Sequence, residues 1–158
     1  MPVDSGAFRR ALAGWASGVS IVTSRARGER QGMTVSAFSS VSLDPPLVLI
    51  CADRESNTLR LIDASGVFSV SVLAESQASL SARFADKALE ELRFDGLECE
   101  DGATGCPRIP GAVAYLDCRV VRAIEAGDHM IYLGEVVSAA SSETPPLVYL
   151  RGRYRALR

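Results

Sequence analysis

The segment GMTVSAFSSVSLDPPLVLICAD, residues 32–53, carries the pattern that decides the fold of this chain. Its first half alternates small hydroxyl residues with apolar ones, which is the period-two pattern of a strand with two different faces. Asp44-Pro45-Pro46 interrupts the alternation, and residues 47–52 follow as an apolar run that predicts a buried strand. The segment therefore predicts a strand pair with a row of hydroxyls beside a face that should be core.

Strand patterns continue on both sides of this segment. Residues 19–24 are rich in β-branched side chains, and the residues Ala26 to Glu29 predict a turn that leads back into residues 32–43. Within the predicted strand 114–124, Leu116, Cys118 and Val120 share one face, opposite Asp117 and Arg119. The other predicted strands are 67–73, 129–139 and 147–154.

Three short helices are predicted between the strands. In residues 5–16, Phe8, Leu12 and Trp15 fall at helical spacing, so Trp15 is expected to pack in the core rather than stack on a ligand. The other two are a helix that begins near 57 and ends at Gly66, and 77–85. Residues 87–111 contain several glycines and prolines and predict an irregular excursion. The fold class is therefore mainly β, a closed or nearly closed antiparallel barrel with short helices, in one domain of residues 1–158.

Composition narrows the class of protein. The 158 residues carry a formal net charge of −2, which argues against a nucleic-acid or anionic-membrane surface. No apolar run approaches the roughly 20 residues of a membrane helix, and the polar N-terminus is unlike a secretory signal, so we expect a cytoplasmic protein.

The chain has one histidine and four cysteines without a CxxC pair, which predicts no metal site. Free thiols are expected rather than a Cys99–Cys106 disulfide, and Cys51 is expected to be a buried small residue.

The hydroxyl row favours ligand binding over the common enzyme motifs. The sequence contains no GxGxxG, GxxxxGK[ST], HExxH or GxSxG. Small side chains at Thr34, Ser36, Ser40 and Ser42 leave backbone N–H groups reachable, which suits a flat heteroaromatic ligand with carbonyls and ring nitrogens. The alternative is a half-exposed strand whose serines face water.

Ser56-Asn57-Thr58 stands at the start of the second helix. Side-chain oxygens and free backbone N–H groups converge at such a position, which makes it suitable for a phosphate. The alternative interpretation is an ordinary helix N-cap.

Five blocks, in this order, carry a resemblance to a known family. They are GMTVSAFSSVSLDPPLVLICAD, SNTLRLI, FSVSVLAESQASLSARFA, GDHMIYLGEVV and PLVYLRGRYR. Together they resemble the flavin reductase family of two-component monooxygenases, the FMN-binding split-barrel proteins, over essentially the whole chain. The resemblance implies a homodimeric split barrel that binds FMN or FAD and reduces it with NADH or NADPH. The partner it implies is a flavin-dependent monooxygenase component.

The resemblance also implies roles for particular residues. Those expected at the flavin ring and ribityl chain are Thr34, Val35, Ser36, Ala37, Ser40, Val41 and Ser42. Those expected at the phosphate end are Ser56, Asn57, Thr58, Phe84 and Ala85. His129 is expected beside the nicotinamide or the flavin ring, with a hydrogen-bonded turn histidine as the alternative. Gly152, Arg153 and Tyr154 are expected at the nicotinamide nucleotide, although the alternating arginines 151, 153 and 155 are also typical of a solvated face.

The predicted function is an NAD(P)H:flavin oxidoreductase whose reduced flavin diffuses to the monooxygenase. Hydride transfer from nicotinamide C4 to flavin N5 mainly requires that the two rings are stacked, with donors at the flavin N1/C2=O edge. The alternative is a flavin-binding storage or sensor protein without turnover, which should hold flavin tightly. A flavin-free β-barrel interaction protein is the third hypothesis, and it should bind no flavin.

Overall fold

The chain folds into twelve strands, three α-helices and two 3₁₀ helices in a computed structural model that describes residues Met1–Arg158. No helix combines the length and apolar character needed to span a membrane. The strands are β1 (Ser17–Gly18), β2 (Ser20–Ala26), β3 (Glu29–Val35), β4 (Phe38–Leu43), β5 (Pro46–Asp53), β6 (Val67–Val72), β7 (Glu100–Asp101), β8 (Pro107–Arg108), β9 (Ala114–Ala126), β10 (His129–Ser141), β11 (Val148–Leu150) and β12 (Arg153–Arg155). The helices are α1 (Ser5–Leu12), α2 (Asn57–Ser65) and α3 (Ala78–Ala85), and the 3₁₀ helices are Glu75–Gln77 and Lys87–Leu92.

A seven-stranded antiparallel sheet forms the body of the molecule, in the order β3-β2-β6-β9-β10-β5-β4. Its two edge strands, β3 and β4, follow each other in the chain, but no backbone ladder joins them. The sheet is therefore a barrel that is open along one line, and the predicted split antiparallel barrel is confirmed. Two small sheets, β1-β11-β12 and β7-β8, lie outside it.

The core consists of two apolar clusters. The larger one fills the space between the barrel strands and α2, and its fully buried members include Val22, Ile50 and Phe68. The second cluster includes Phe84, Ile109 and Leu147 and joins α3 and the 87–111 excursion to the barrel. Residue 134 must be small because a Cβ there would lie 2.6 Å from Phe68 Cζ. Tyr132 also ties α2 to β10, since its hydroxyl donates to Asp63 Oδ1 at 2.7 Å.

The predicted turns and caps are confirmed in several places. Arg27 and Gly28 connect β2 to β3 with φ of 51° and 79°, the left-handed pair of a two-residue hairpin turn. The Ser56 side chain caps α2, and Gly66 follows its end with φ of 71°. The 87–111 segment contains a 3₁₀ helix and the two-residue strands β7 and β8, as expected for an irregular excursion. All four cysteines are free thiols.

The N-terminal helix corrects the prediction that Trp15 packs in the core. Asp4 caps the helix, with Oδ1 accepting from Gly6 N and Ala7 N, and α1 ends at Leu12. Phe8, Leu12 and Trp15 are 54%, 55% and 77% exposed. Helical spacing marks an apolar face that needs cover, and within one chain no element covers it.

The C-terminal segment 147–154 is not the single strand that was predicted. It forms the β11–β12 hairpin, in which Leu150 pairs with Arg153. The two turn residues, Arg151 and Gly152, have φ of 52° and 73°, so the chain reverses direction there. A backbone bond from Arg151 N to Ala13 O, 3.1 Å long, ties this hairpin to the end of the N-terminal segment.

Strand β9 is covered on both faces around Asp117. Cys118 is fully buried, and its burial raises the pKa of its thiol to about 12. Asp117 lies on the opposite face, as predicted, but it too is fully buried, because the β7–β8 excursion covers that face. Its carboxylate accepts hydrogen bonds from Ser69 Oγ and Ala103 N, both 2.9 Å long, and from Arg108.

Candidate functional site

A cavity of about 410 Å³ lies at the open line of the barrel. This volume falls in the usual range for a small-molecule site. The cavity is bounded by the ends of β3 and β5, the start of α2, the end of α3, the 3₁₀ segment after it and the start of β10. The residues that line it include Thr34, Val35, Ser36, Ala37, Cys51, Ser56, Asn57, Phe84, Ala85, Lys87, Glu90, Arg93 and His129.

One wall of the cavity is the break between β3 and β4. Ser36 and Ala37 form this break, with a backbone bond from Phe38 N to Ser36 O of 3.0 Å. Ala37 O accepts from Cys51 N at 3.0 Å, so the break is fixed to β5. This wall therefore consists of two small residues whose backbone is exposed and is held in place by hydrogen bonds. The hydroxyl of Thr34, beside the break, is already hydrogen-bonded within the protein, since Oγ1 donates to Ser81 O at 2.6 Å.

A second wall is the N-terminus of α2. Ser56 Oγ accepts from Thr58 N at 3.2 Å, so the ordinary N-cap interpretation is correct. The same oxygen lies 3.1 Å from Met33 Sδ. The Thr58 hydroxyl is buried without a hydrogen-bond partner. Helix N-termini attract anions, so this end of the cavity is suited to a negatively charged group.

Arg93 adds a buried positive charge to the same end. Its side chain is 6% exposed, and its Nη1 and Nη2 donate to Gly32 O at 2.8 Å and to Asp86 O at 3.0 Å. Its Nε has no partner. Burial lowers the pKa of Arg93, while the nearby carboxylates of Glu90 and Asp86 raise it.

Sequence reasoning missed both Arg93 and Lys87, which also lines the cavity. They lie in the excursion that was treated as irregular. Phe84 and Ala85 were already expected at the phosphate end. The available signal was that two basic residues follow them within nine positions.

His129 stands on the rim at the first residue of β10, paired with Asp53. Its Nδ1 lies 2.8 Å from Asp128 Oδ1, and this hydrogen bond lowers the pKa of Asp128. His129 is therefore hydrogen-bonded at its turn, as the alternative interpretation expected, and it also lines the cavity. Cys51 is half-buried in the wall instead of fully buried as expected, and burial raises the pKa of its thiol.

The family comparison matches this architecture across nearly the whole chain. The family described as "Flavin reductase like domain" matches residues 12–158. The chain belongs to this family.

Two curated relatives and one solved structure illustrate the similarity of this flavin reductase-like chain. The actinorhodin polyketide dimerase of Streptomyces coelicolor is 42% identical over 99% of this chain and 89% of that protein. The reductase component of 4-hydroxyphenylacetate 3-monooxygenase from Thermus thermophilus is 40% identical over 96% and 95%. The Streptomyces globisporus C-1027 NADH:FAD oxidoreductase SgcE6, in complex with NAD and FAD fragments, has a TM-score of 0.91 at 37% identity, covering 100% of this chain and 97% of that one.

Not every residue expected from the flavin reductase resemblance lies in the cavity. Those brought together are Thr34, Val35, Ser36, Ala37, Ser56, Asn57, Phe84, Ala85 and His129. Thr58 is buried behind the helix start. Ser40, Val41 and Ser42 lie along the edge strand β4, outside the cavity, and Gly152 and Arg153 lie in the exposed C-terminal hairpin. Tyr154 is linked to the cavity wall through Ser81. Its hydroxyl is 2.9 Å from Ser81 Oγ, and Ser81 O accepts the hydrogen bond from Thr34 Oγ1.

The residues present fit a flavin phosphate. Two buried polar atoms have no partner: Thr58 Oγ1, in the first turn of α2 behind the cavity wall, and Nε of Arg93, a residue that lines the cavity. Buried polar groups are normally hydrogen-bonded, so such atoms indicate a missing acceptor or donor. The wall of Ser36 and Ala37 offers compact backbone for a flat ring. One end of the cavity is therefore suited to an anion and the adjacent wall to an uncharged ring system.

Proposed function

We propose that this protein is an NAD(P)H:flavin oxidoreductase that reduces FMN or FAD and releases it to a separate monooxygenase component. The observation that carries the proposal is one cavity with an anion-binding end, a flat backbone wall and a histidine on its rim. Relatives support it by name: one is a monooxygenase reductase component, and a structural neighbour is an NADH:FAD oxidoreductase.

The chain's own residues have three tasks in this reaction. Ser36 and Ala37 orient the ring system against a fixed wall, because Ala37 is tied to β5. Lys87, Arg93 and the start of α2 hold the phosphate. The flavin, when bound, supplies the acceptor for the hydride that the nicotinamide donates. Such a reaction needs positioning more than covalent help from side chains.

His129 is proposed to position the nicotinamide. With Nδ1 engaged by Asp128, the other ring nitrogen, Nε2, is left for a bound molecule. Gly152, Arg153 and Tyr154 are proposed to contact the rest of the nicotinamide nucleotide. Support for this comes from the exposed arginine, which suits a phosphate, and from the link of Tyr154 to the cavity wall through Ser81.

A homodimer is the proposed assembly. Helix α1 has eight residues and none of them is buried, so its own packing does not stabilise it. The apolar side chains Phe8, Leu12 and Trp15 would be covered by a second copy, as would Val41 and Leu43 on the edge strand β4. Ser40 and Ser42, on the same strand, would then contribute to the site near the interface.

The dimer has a direct optical test. Trp15 is the only tryptophan, so its emission reports the environment of α1. We expect a dimer by sedimentation and a red shift of the emission on dilution. Trp15→Ala should raise the dimer dissociation constant about 30-fold, the size of a tryptophan hot spot. Leu157→Ala, which removes another exposed apolar side chain, is the control. A monomeric wild type would contradict the proposal.

The activity is tested by following NADH and NADPH oxidation with FMN, FAD and riboflavin in turn. We expect saturable turnover and a protein that purifies with little flavin. In His129→Gln, kcat/KM for the nicotinamide cofactor should fall ~10-fold to 100-fold while flavin affinity is kept. Tight flavin binding without nicotinamide consumption would instead favour the storage or sensor alternative.

A further inference from the structure

The anion-binding end of the cavity already contains a carboxylate. Glu90 Oε2 accepts a hydrogen bond from Asn57 Nδ2 at 2.9 Å, and Glu90 Oε1 lies 3.6 Å from Arg93 Nη1. Glu90 therefore connects the first residue of α2 to the buried guanidinium. Its side chain is 29% exposed, so it can swing toward solvent while Arg93 cannot.

Glu90 is not hydrogen-bonded to the guanidinium of Arg93, and that guanidinium keeps one donor without a partner. Its 3.6 Å separation from Arg93 is longer than a hydrogen bond, and Arg93 Nε is left without a partner. A phosphate has three acceptor oxygens and carries more charge than a carboxylate. A bound phosphate would therefore serve these donors better, but it would have to approach or displace Glu90.

We propose that Glu90 is a specificity-determining residue that competes with the flavin phosphate, weakening FMN most, FAD less and riboflavin not at all. This inference rests on the proposed flavin reductase function. The order follows from charge. The FMN phosphate is a monoester with a charge of about −1.5 to −2 at neutral pH. The corresponding phosphate of FAD is joined to a second phosphate, so it carries a single charge and the other charge of the diphosphate lies one phosphate further along, while riboflavin has none.

The competition also suits delivery of reduced flavin. Release requires that the phosphate leave Asn57 and Arg93, and Glu90 is placed to take over the same donors as it goes. In the free protein Glu90 then accepts from Asn57 and faces Arg93. Because Glu90 acts on the phosphate and does not contact the ring, it lowers the affinity for oxidised and reduced flavin alike.

The test compares Glu90→Gln with Glu91→Gln. Glutamine keeps the size of Glu90 and its acceptor for Asn57 but removes the charge. Glu91 is exposed and makes no side-chain hydrogen bond. Its substitution changes the net charge by the same amount, so Glu91→Gln is the matched control. Dissociation constants for FMN, FAD and riboflavin are measured by flavin fluorescence without nicotinamide cofactor. Circular dichroism and thermal melts check that each variant is folded.

In Glu90→Gln we expect FMN to bind about five-fold to tenfold more tightly, FAD about twofold to threefold, and riboflavin unchanged, from the loss of one partly exposed like charge. Glu91→Gln should change no ligand by more than about twofold. Stopped-flow dissociation of FMN should slow by the same factor as the affinity rises, because most affinity differences lie in the off-rate.

Three results would overturn the role of Glu90. Equal tightening of all three ligands would mean that Glu90 shapes the cavity instead of competing. Weaker FMN binding would mean that Glu90 organises the phosphate site. Unchanged ratios of the three dissociation constants would mean that Glu90 does not discriminate between the flavins. A wild type that binds the flavins and oxidises NADH or NADPH keeps the proposed function even if these ratios are unchanged. A wild type that binds no flavin overturns both.

Discussion

Two arginine–carboxylate pairs in this molecule, Arg108–Asp117 and Arg93–Glu90, are built in opposite ways. Asp117 is fully buried and accepts hydrogen bonds from Arg108, the Ser69 hydroxyl and a backbone N–H. In the second pair the arginine is the buried member, its carboxylate partner stands 3.6 Å away, and its Nε has no partner. The pKa shifts differ accordingly: the hydrogen bond to Asp117 raises the pKa of Arg108, whereas burial lowers that of Arg93.

The difference separates a structural ion pair from a pair that lies at the proposed binding site. A buried charge is tolerated when it is paired and its hydrogen-bonding positions are filled, as at Asp117. At Arg93 the protein leaves one donor of a buried charge unused. The Arg108–Asp117 pair holds the β7–β8 excursion on the barrel, and the Arg93–Glu90 pair lines the cavity that is proposed to bind the flavin phosphate. Substitutions in the first should therefore change stability, and those in the second should change flavin binding.

The largest effect is expected for Asp117→Ala, which leaves the charge of Arg108 unpaired and two further donors without an acceptor. The free energy of unfolding should fall by about 3–5 kcal/mol, the usual cost of breaking a buried pair. Urea denaturation measures this. Asp101→Ala removes the partner of Arg25 in an exposed ion pair and should cost less than about 1 kcal/mol. Equal losses in the two variants would contradict the structural role of Asp117.

Arg93→Met should affect both stability and binding. Loss of the donors to Gly32 O and Asp86 O should cost about 2 kcal/mol of unfolding free energy. The FMN dissociation constant should rise about tenfold or more, and that of riboflavin much less, because a charge-assisted phosphate contact is lost. Arg83→Met, whose guanidinium bonds only Asp95 O at an exposed site, is the control. A parallel loss of FMN and riboflavin binding would show that Arg93 supports the cavity and does not bind the phosphate.

Ser69→Ala tests the satisfied cluster with a smaller change. One buried hydrogen bond to Asp117 Oδ1 disappears, and the other donors remain. We expect a loss of about 1–2 kcal/mol in urea denaturation, with FMN affinity unchanged. A change in FMN affinity would indicate that the two regions are coupled.

Thr58→Val should have the smallest effect on stability. The Thr58 hydroxyl is buried without a partner, so replacing it with a methyl group of similar size should shift the unfolding free energy by no more than about 0.5 kcal/mol. If the hydroxyl serves the phosphate, FMN should bind about twofold to fivefold more weakly while riboflavin is unchanged. A large loss of stability without flavin would mean that the hydroxyl has a partner in solution.

The elements of this fold that the sequence predicted are those encoded in short windows. Period-two patterns marked β6 and β9, an apolar run marked β5, and Ser56 and Gly66 marked the two ends of α2. The resemblance to flavin reductases grouped Ser36, Ala37 and His129, which the structure brings to one cavity. Backbone geometry and one-sided burial impose these patterns locally.

Local sequence patterns could not predict that the apolar face of α1 is exposed or where the charged side chains of the 87–111 excursion lie. The spacing of Phe8 and Leu12 indicated an apolar face but not that this face would be exposed on one chain. The same limit applies to Lys87, Glu90 and Arg93, because a segment rich in charges and glycines has no periodicity from which to place its side chains.

The sequence by itself determined most strands of the barrel, the capped helix and the family. Only the tertiary structure decided which charges meet. Arg93 bonds the carbonyl of Gly32 from 61 residues away, and Ser69 bonds Asp117 from 48 residues away. Such contacts depend on how distant strands and loops pack together, and burial, which sets whether a charge is structural or available to a ligand, exists only after that packing is complete.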